Sequence, residues 1–132
     1  DPAVLAWKQT LEAVGGSVNS GKLLEPVRAS MAKKVLRRYV SSLNQAKSGG
    51  WHVEPVGKVT VESAETTASR SKLTTCSWAP STVYFTKDGS SPDGDENFDV
   101  WHKNRYELAL RDGHWRITSV ESDGNCPGRP PV

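Results

Sequence analysis

The chain has 132 residues, enough for one domain with its own apolar core and without metal or several disulfides. Its 17 Lys and Arg against 15 Asp and Glu leave a net charge of +2, too weak a field to mark a nucleic-acid binder or a membrane-surface protein. No apolar run approaches the ~20 residues of a membrane span, so a membrane would be reached only through an anchor ahead of Asp1. Because the chain opens on Asp1 and not Met, a missing leader or anchor segment is the expectation.

In chain order, residues 2–14 place Val4, Trp7, Leu11 and Val14 on one helical stripe, with Pro2 acceptable in the first turn. Gly15-Gly16 is expected to stop that helix. The stretch GGSVNSGK (15–22) is one residue short of a phosphate-binding loop. Such a loop needs a strand before it and a Ser or Thr after its Lys, where this chain has Leu23. A helix–helix turn is therefore expected, with Ser17, Asn19 and Ser20 as loop or capping residues. A second helix is predicted from about Leu24 to Lys47, carried by Leu24, Val27, Met31, Val35, Tyr39 and Leu43, with Leu36 and Val40 widening the stripe. Gly49-Gly50 closes it. Its basic cluster KKVLRR (33–38) reads as a partner surface or, by default, as a solvated helix face.

Beyond Gly50 the period changes to alternation. A firm strand is predicted from near Lys58, followed by 69–78 and 81–87, which Ala79-Pro80 separates as a kink or a break. Residues 88–97 form a polar loop, in which Asp93, Asp95, Asn97 and Asp99 are spaced like the first ligands of a calcium loop. Phe98 stands where that loop needs Gly, and Asn104 where it needs Glu, so a solvated loop is expected. Two more strands, 99–111 and 114–122, meet at Asp112-Gly113, a type I′ hairpin signal. Pairing outward sets Leu110 opposite Trp115, Leu108 opposite Ile117 and Tyr106 opposite Ser119, all on one face. Arg111, His114, Ala109, Arg116, Glu107 and Thr118 take the other. The fold class expected is α+β, with N-terminal helices on the concave face of a curved antiparallel β-sheet.

His52, His102 and His114 lie in three segments without metal-ligand spacing, and no nucleophile or zinc-enzyme motif is present. No catalytic residue, metal or cofactor is assigned. Two cysteines, Cys76 and Cys126, are either separate buried thiols or one disulfide tying down the Gly/Pro-rich tail. The disulfide is the expected state. It would contribute about 4 kcal/mol on the chain-entropy model and implies an oxidising, extracytoplasmic compartment. Of the five Trp, Trp7 and Trp115 fall on apolar faces and read as core. Trp51, Trp78 and Trp101 lie at strand ends or kinks, where they could line a pocket mouth or a partner surface.

The order of helix, helix and bent antiparallel sheet resembles the NTF2-like (cystatin-like cone) superfamily. The segments VTVESAETTASRSKLTTCSW, VYFTKDG and YELALRDGHWRITSVES, with a Cys just after the last strand, resemble small actinobacterial secreted proteins and lipoproteins within it. The resemblance covers nearly the whole chain and implies a single domain over 1–125 with a tail over 126–132. It also implies a Cys76–Cys126 disulfide, a cone that often holds a pocket, and a homodimer through the sheet. Isomerases and dehydratases of the superfamily use a carboxylate in that pocket, whereas here Tyr39 and Tyr106 are its evident polar groups and only Asp99 could reach the mouth. The expectation is an extracytoplasmic binding domain for a protein partner or small apolar ligand, without nucleic acid. Tyr39, Trp51, Trp78, Trp101, Tyr106 and Trp115 are its candidate pocket or partner residues. An isomerase-type enzyme, or an assembly domain of a secretion or conjugation complex (VirB8-like), is the alternative. A buried carboxylate in an open pocket would favour the enzyme. A filled cone with an apolar outer sheet face would favour interaction.

Overall fold

The computed structural model describes residues 1–53, 59–78, 84–85 and 101–127. Helices α1 (Pro2–Ser20), α2 (Glu25–Ala29) and α3 (Lys33–Gly49) come first. Among the described residues they are followed by β1 (His52–Val53), β2 (Val59–Thr66), β3 (Arg70–Trp78), β4 (Tyr84–Phe85), β5 (Trp101–Arg111) and β6 (His114–Asn125). An antiparallel sheet runs β2-β3-β5-β6, while β1 pairs with β4 apart from it. The helices pack on one face of this curved sheet, so the fold is α+β as its sequence pattern predicts.

Helix α1 begins at Asp1, whose Oδ1 accepts from the Ala3 N–H (2.8 Å) and whose Oδ2 accepts from Thr66 Oγ1 (2.7 Å). One side chain thus caps the helix and pins its start to β2. The helix does not stop at Gly15-Gly16; it continues to Ser20 and ends at Gly21 in the left-handed region (φ 71). Gly16 serves packing instead, since a Cβ there would lie 3.0 Å from Leu24 Cδ1 on the returning chain. Ser17 is not a loop residue either. It is buried in the helix, donates from Oγ to the Ala13 carbonyl (2.8 Å) and accepts from the Leu24 N–H (3.0 Å). The stretch that looks like a phosphate loop is a helix end and its cap.

The expected single helix over 24–47 is two, α2 and α3. The break falls at Ser30–Ala32 because that segment pairs with β6. Ile117 donates its N–H to the Ser30 carbonyl (2.8 Å), and Ala32 donates to the Ile117 carbonyl (2.9 Å). Sheet bonds replace helix bonds there, while Val27, Met31 and Val35 all stay buried.

At the β5–β6 turn Asp112 (φ 51) and Gly113 (φ 78) both take the left-handed values that a type I′ turn requires. Leu110 faces Trp115 and Leu108 faces Ile117, as the pattern predicts. The third pair differs. Thr118 is an extra residue in β6, held by its Oγ1 on the Glu107 carbonyl (3.2 Å), so Ser119 pairs with Glu107 and Val120 with Tyr106. This bulge exchanges a serine for a valine on the helix-facing side. Further register shifts lie between Val61 and Ser63 and between His102 and Asn104, and such bulges bend a sheet.

The main core joins Trp7, Val27, Met31, Val35, Leu73, Tyr106, Leu108 and Ile117, with Val120 and Trp115 packed against it. Each fully buried large side chain contributes about 1.5–3 kcal/mol. A second cluster holds Val18, Leu43 and Ala46, with Leu23 and Trp51 against it. The Cys76–Cys126 disulfide forms, with Cα atoms 6.1 Å apart. It passes from β3 over β5, where Lys103 pairs with Cys76, to the end of β6. The Ala79-Pro80 kink, the calcium-like Asp93, Asp95, Asn97 and Asp99, and the tail beyond Pro127 lie outside the described residues.

Candidate functional site

Among the described residues, the interior between helices and sheet, the outer sheet face, and the flank where α3 meets the edge of β6 are places to look for a ligand. Among the described residues the interior is tightly packed. The gap bounded by Trp7, Thr10, Leu11, Val14, Met31, Tyr39, Tyr106 and Ile117 leaves ≈ 0 Å³ for a water. Trp7 meets Tyr106 edge-on with ring centroids 5.5 Å apart. Burial pushes the Tyr106 phenol above its ordinary value of 10.0, with the neighbouring Trp7 indole opposing the shift. The buried polar residues here are Thr10, Ser17, Ser71, Thr75 and Ser77. Among the described residues, then, no buried carboxylate sits between the layers to act as a general base.

The outer face is polar. Register places Glu65, Lys72, Glu107 and Ser119 in one row across the four strands, and Ser63, Thr74, Arg105 and Glu121 in the next. These rows line a trough of about 240 Å³, and a second hollow of about 290 Å³ adjoins it beside the disulfide. Asp123 draws on both Lys103 (3.7 Å) and Arg105 (3.2 Å). An apolar docking patch is therefore not what this face offers. Opposite charges alternate across it and leave it close to neutral.

The flank is the remaining place. Val35, Arg38, Tyr39 and Ser42 project from α3 and meet Val120 of β6 around an open notch of about 100 Å³. The helical repeat puts the four α3 residues on one side, and the Thr118 bulge turns Val120 towards them. The floor is apolar, and the exposed Arg38 forms the rim.

Of the six residues expected to form a pocket or partner surface, Tyr39 and Tyr106 bound the same filled interior gap, and Trp51 and Trp115 lie apart from it. Tyr39 borders the notch and Tyr106 is buried in the core. Trp115 is half-buried against the core, far along β6 from the notch. Trp51 is half-buried over the end of α3, where a Cβ on Gly49 would come 2.6 Å from its Cε2. Trp78 and Trp101 pair across β3 and β5; their side chains are outside the described part. Sequence reading missed Val120, Val35, Arg38 and Ser42 as neighbours. A signal existed in Ile117 and Val120, which strict alternation cannot place on one face without a bulge. Among the described residues no cluster of His, Cys, Asp and Glu could hold a metal ion, and no helix is long and apolar enough to cross a membrane.

No family model matches the chain, and no curated protein matches it. Among solved structures it is similar to the intermembrane space region of the chloroplast protein ARC6, with a TM-score of 0.58, 12% identity, and coverage of 93% of this chain and 92% of that one. At that identity the likeness shows the fold alone. The α+β architecture thus has a solved counterpart over nearly its whole length.

Proposed function

We propose that this is an extracytoplasmic, non-catalytic binding domain of the NTF2-like type, spanning 1–125 with a short tail, and that its ligand is another protein seated in the α3–β6 notch. One observation carries the reading: among the described residues the gap between helices and sheet has no room for a small molecule, while the notch is open and apolar-floored. The disulfide supports an oxidising compartment. The fold neighbour, itself described as an intermembrane space region, is compatible with that location.

A photo-crosslinking residue at Ser42, compared with one at the exposed Glu12 on α1, tests the site in the native host. A protein-sized adduct is expected from Ser42 and not from Glu12. Native mass spectrometry of the purified chain supplies the opposite outcome. A small molecule lost on denaturation, with no adduct at Ser42, would overturn the reading in favour of a ligand-carrying cone.

A further inference from the structure

Helix α3 breaks local rules in a way that its packing does not require. Lys33, Lys34, Arg37 and Arg38 crowd its first turns, no acidic residue lies in the first turn, and the capping residue Ala32 makes no side-chain bond. Cations at a helix N-terminus oppose its dipole, and the pairs Lys33/Arg37 and Lys34/Arg38 repel at i,i+4 spacing. The helix KKVLRRYVSSLNQAKSG contains no carboxylate at all. Among the described residues these four cations enter no ion pair, although the same chain supplies Asp123 to neutralise Lys103 and Arg105. Such local conflict is found where function outweighs stability.

The basic side of α3 borders a strand edge. Among the described strands β6 is last in the sheet, and its Ile117 already exchanges backbone bonds with Ser30 and Ala32, so this edge accepts an extended chain. Beyond the Thr118 bulge, the alternation of an antiparallel ladder turns the N–H and C=O groups of Val120 and Ser122 outward too. Among the described residues they make no backbone bond on that side. The notch at Val120 lies beside them.

Resting on the protein-binding reading above, we infer that the partner presents an extended acidic segment, which adds to the β6 edge at Val120 and Ser122. One apolar side chain fills the notch, and its carboxylates meet Lys34 and Arg38. Strand addition supplies backbone bonds, and alternate side chains supply selectivity. A membrane surface or a nucleic acid fits less well, since the apolar face of α3 is turned inward and the notch is shaped for a single side chain.

The oxidised full chain is titrated by fluorescence anisotropy with short labelled peptides rich in Glu and Asp around one Leu. Controls carry Gly for the Leu, or Gln and Asn for the acids. The acidic Leu peptide is expected to bind. Affinity should fall about tenfold without the Leu and roughly threefold for each of Lys34→Gln and Arg38→Gln, both exposed and both expected to leave the circular dichroism unchanged. Equal binding of the neutral peptide, or binding that survives the double variant, overturns the inference. So does binding of phosphatidylglycerol vesicles or of a single-stranded oligonucleotide with none of the peptides. If Ser42 still crosslinks a host protein in the Gln variants as in the parent, the protein-binding reading stands and the acidic segment falls. If Ser42 crosslinks nothing in either, both fall.

Discussion

The middle of the outer sheet face and the exposed side of α3 use the same kinds of cation to different ends. On the sheet, Lys72 lies between Glu65 and Glu107 in register, and Asp123 holds Lys103 and Arg105. On α3, Lys33, Lys34, Arg37 and Arg38 have no carboxylate on their own helix. A net charge of +2 hides this contrast. What bears on function is where the anions are withheld, because charges already neutralised on a surface have little left to offer a partner.

Both regions stand on one frame, and breaking that frame should have the largest effect. Replacing Cys76 and Cys126 together by Ser is expected to cost about 4 kcal/mol and to lower the thermal midpoint by about 15 °C. An unchanged midpoint would show that the sheet end holds without the bond. Next comes alkaline sensitivity of the core. The Tyr106 pKa is raised in the folded protein above 10.0, so the folded state retains a proton that the unfolded state loses. Stability should therefore be intact below pH ~10 and decline as pH rises through and beyond it. Tyr106→Phe should flatten that decline in urea unfolding followed from pH 9 to 11, read as a difference from the parent. A parallel decline in both would remove Tyr106 as its cause.

The comparison itself is sharpened by reversing charge on α3. Lys33→Glu with Lys34→Glu should stabilise the fold by about 0.5–1.5 kcal/mol through the helix dipole and i,i+4 pairing, while abolishing capture of the acidic peptide. A more stable protein that binds less well is the signature of a surface kept for a partner; loss of stability would mean that these lysines support the fold. The smallest effect belongs to the neutralised face. Asp123→Asn should cost under ~1 kcal/mol, and less in high salt, because the pair is solvent-exposed. Chemical denaturation at two salt concentrations measures it.

Much of this architecture was legible in the residues. The Asp112-Gly113 turn fixed two cross-strand pairs, and the stripes on α1 and around Val35 marked the buried sides of the helices. What was not legible depends on distant parts of the chain. Gly15-Gly16 looks like a stop, but Gly16 makes room for Leu24, which local pattern cannot know. The break at Ser30–Ala32 exists because Ile117, 86 positions after Met31 in the chain, offers a backbone edge. The Thr118 bulge decides which of Ser119 and Val120 faces inward, and the notch follows from that choice. The aromatic residues do not mark it, since Trp51, Tyr106 and Trp115 serve packing elsewhere. The basic cluster was visible from the start, and the absence of acids at the i±4 positions was readable beside it.

The disulfide has a mechanical consequence for the edge on which the partner is expected to act. An edge strand pulled from its end normally peels away from its neighbour one bond at a time. Cys126 joins the end of β6 directly to Cys76 on β3, across β5. Tension on the chain beyond Cys126 is delivered to the interior of the sheet and must shear β3 against its two neighbours at once. With the bond reduced, the same tension would unzip β6 from Asn125 towards Val120, and in a pulling experiment the unfolding force would drop accordingly.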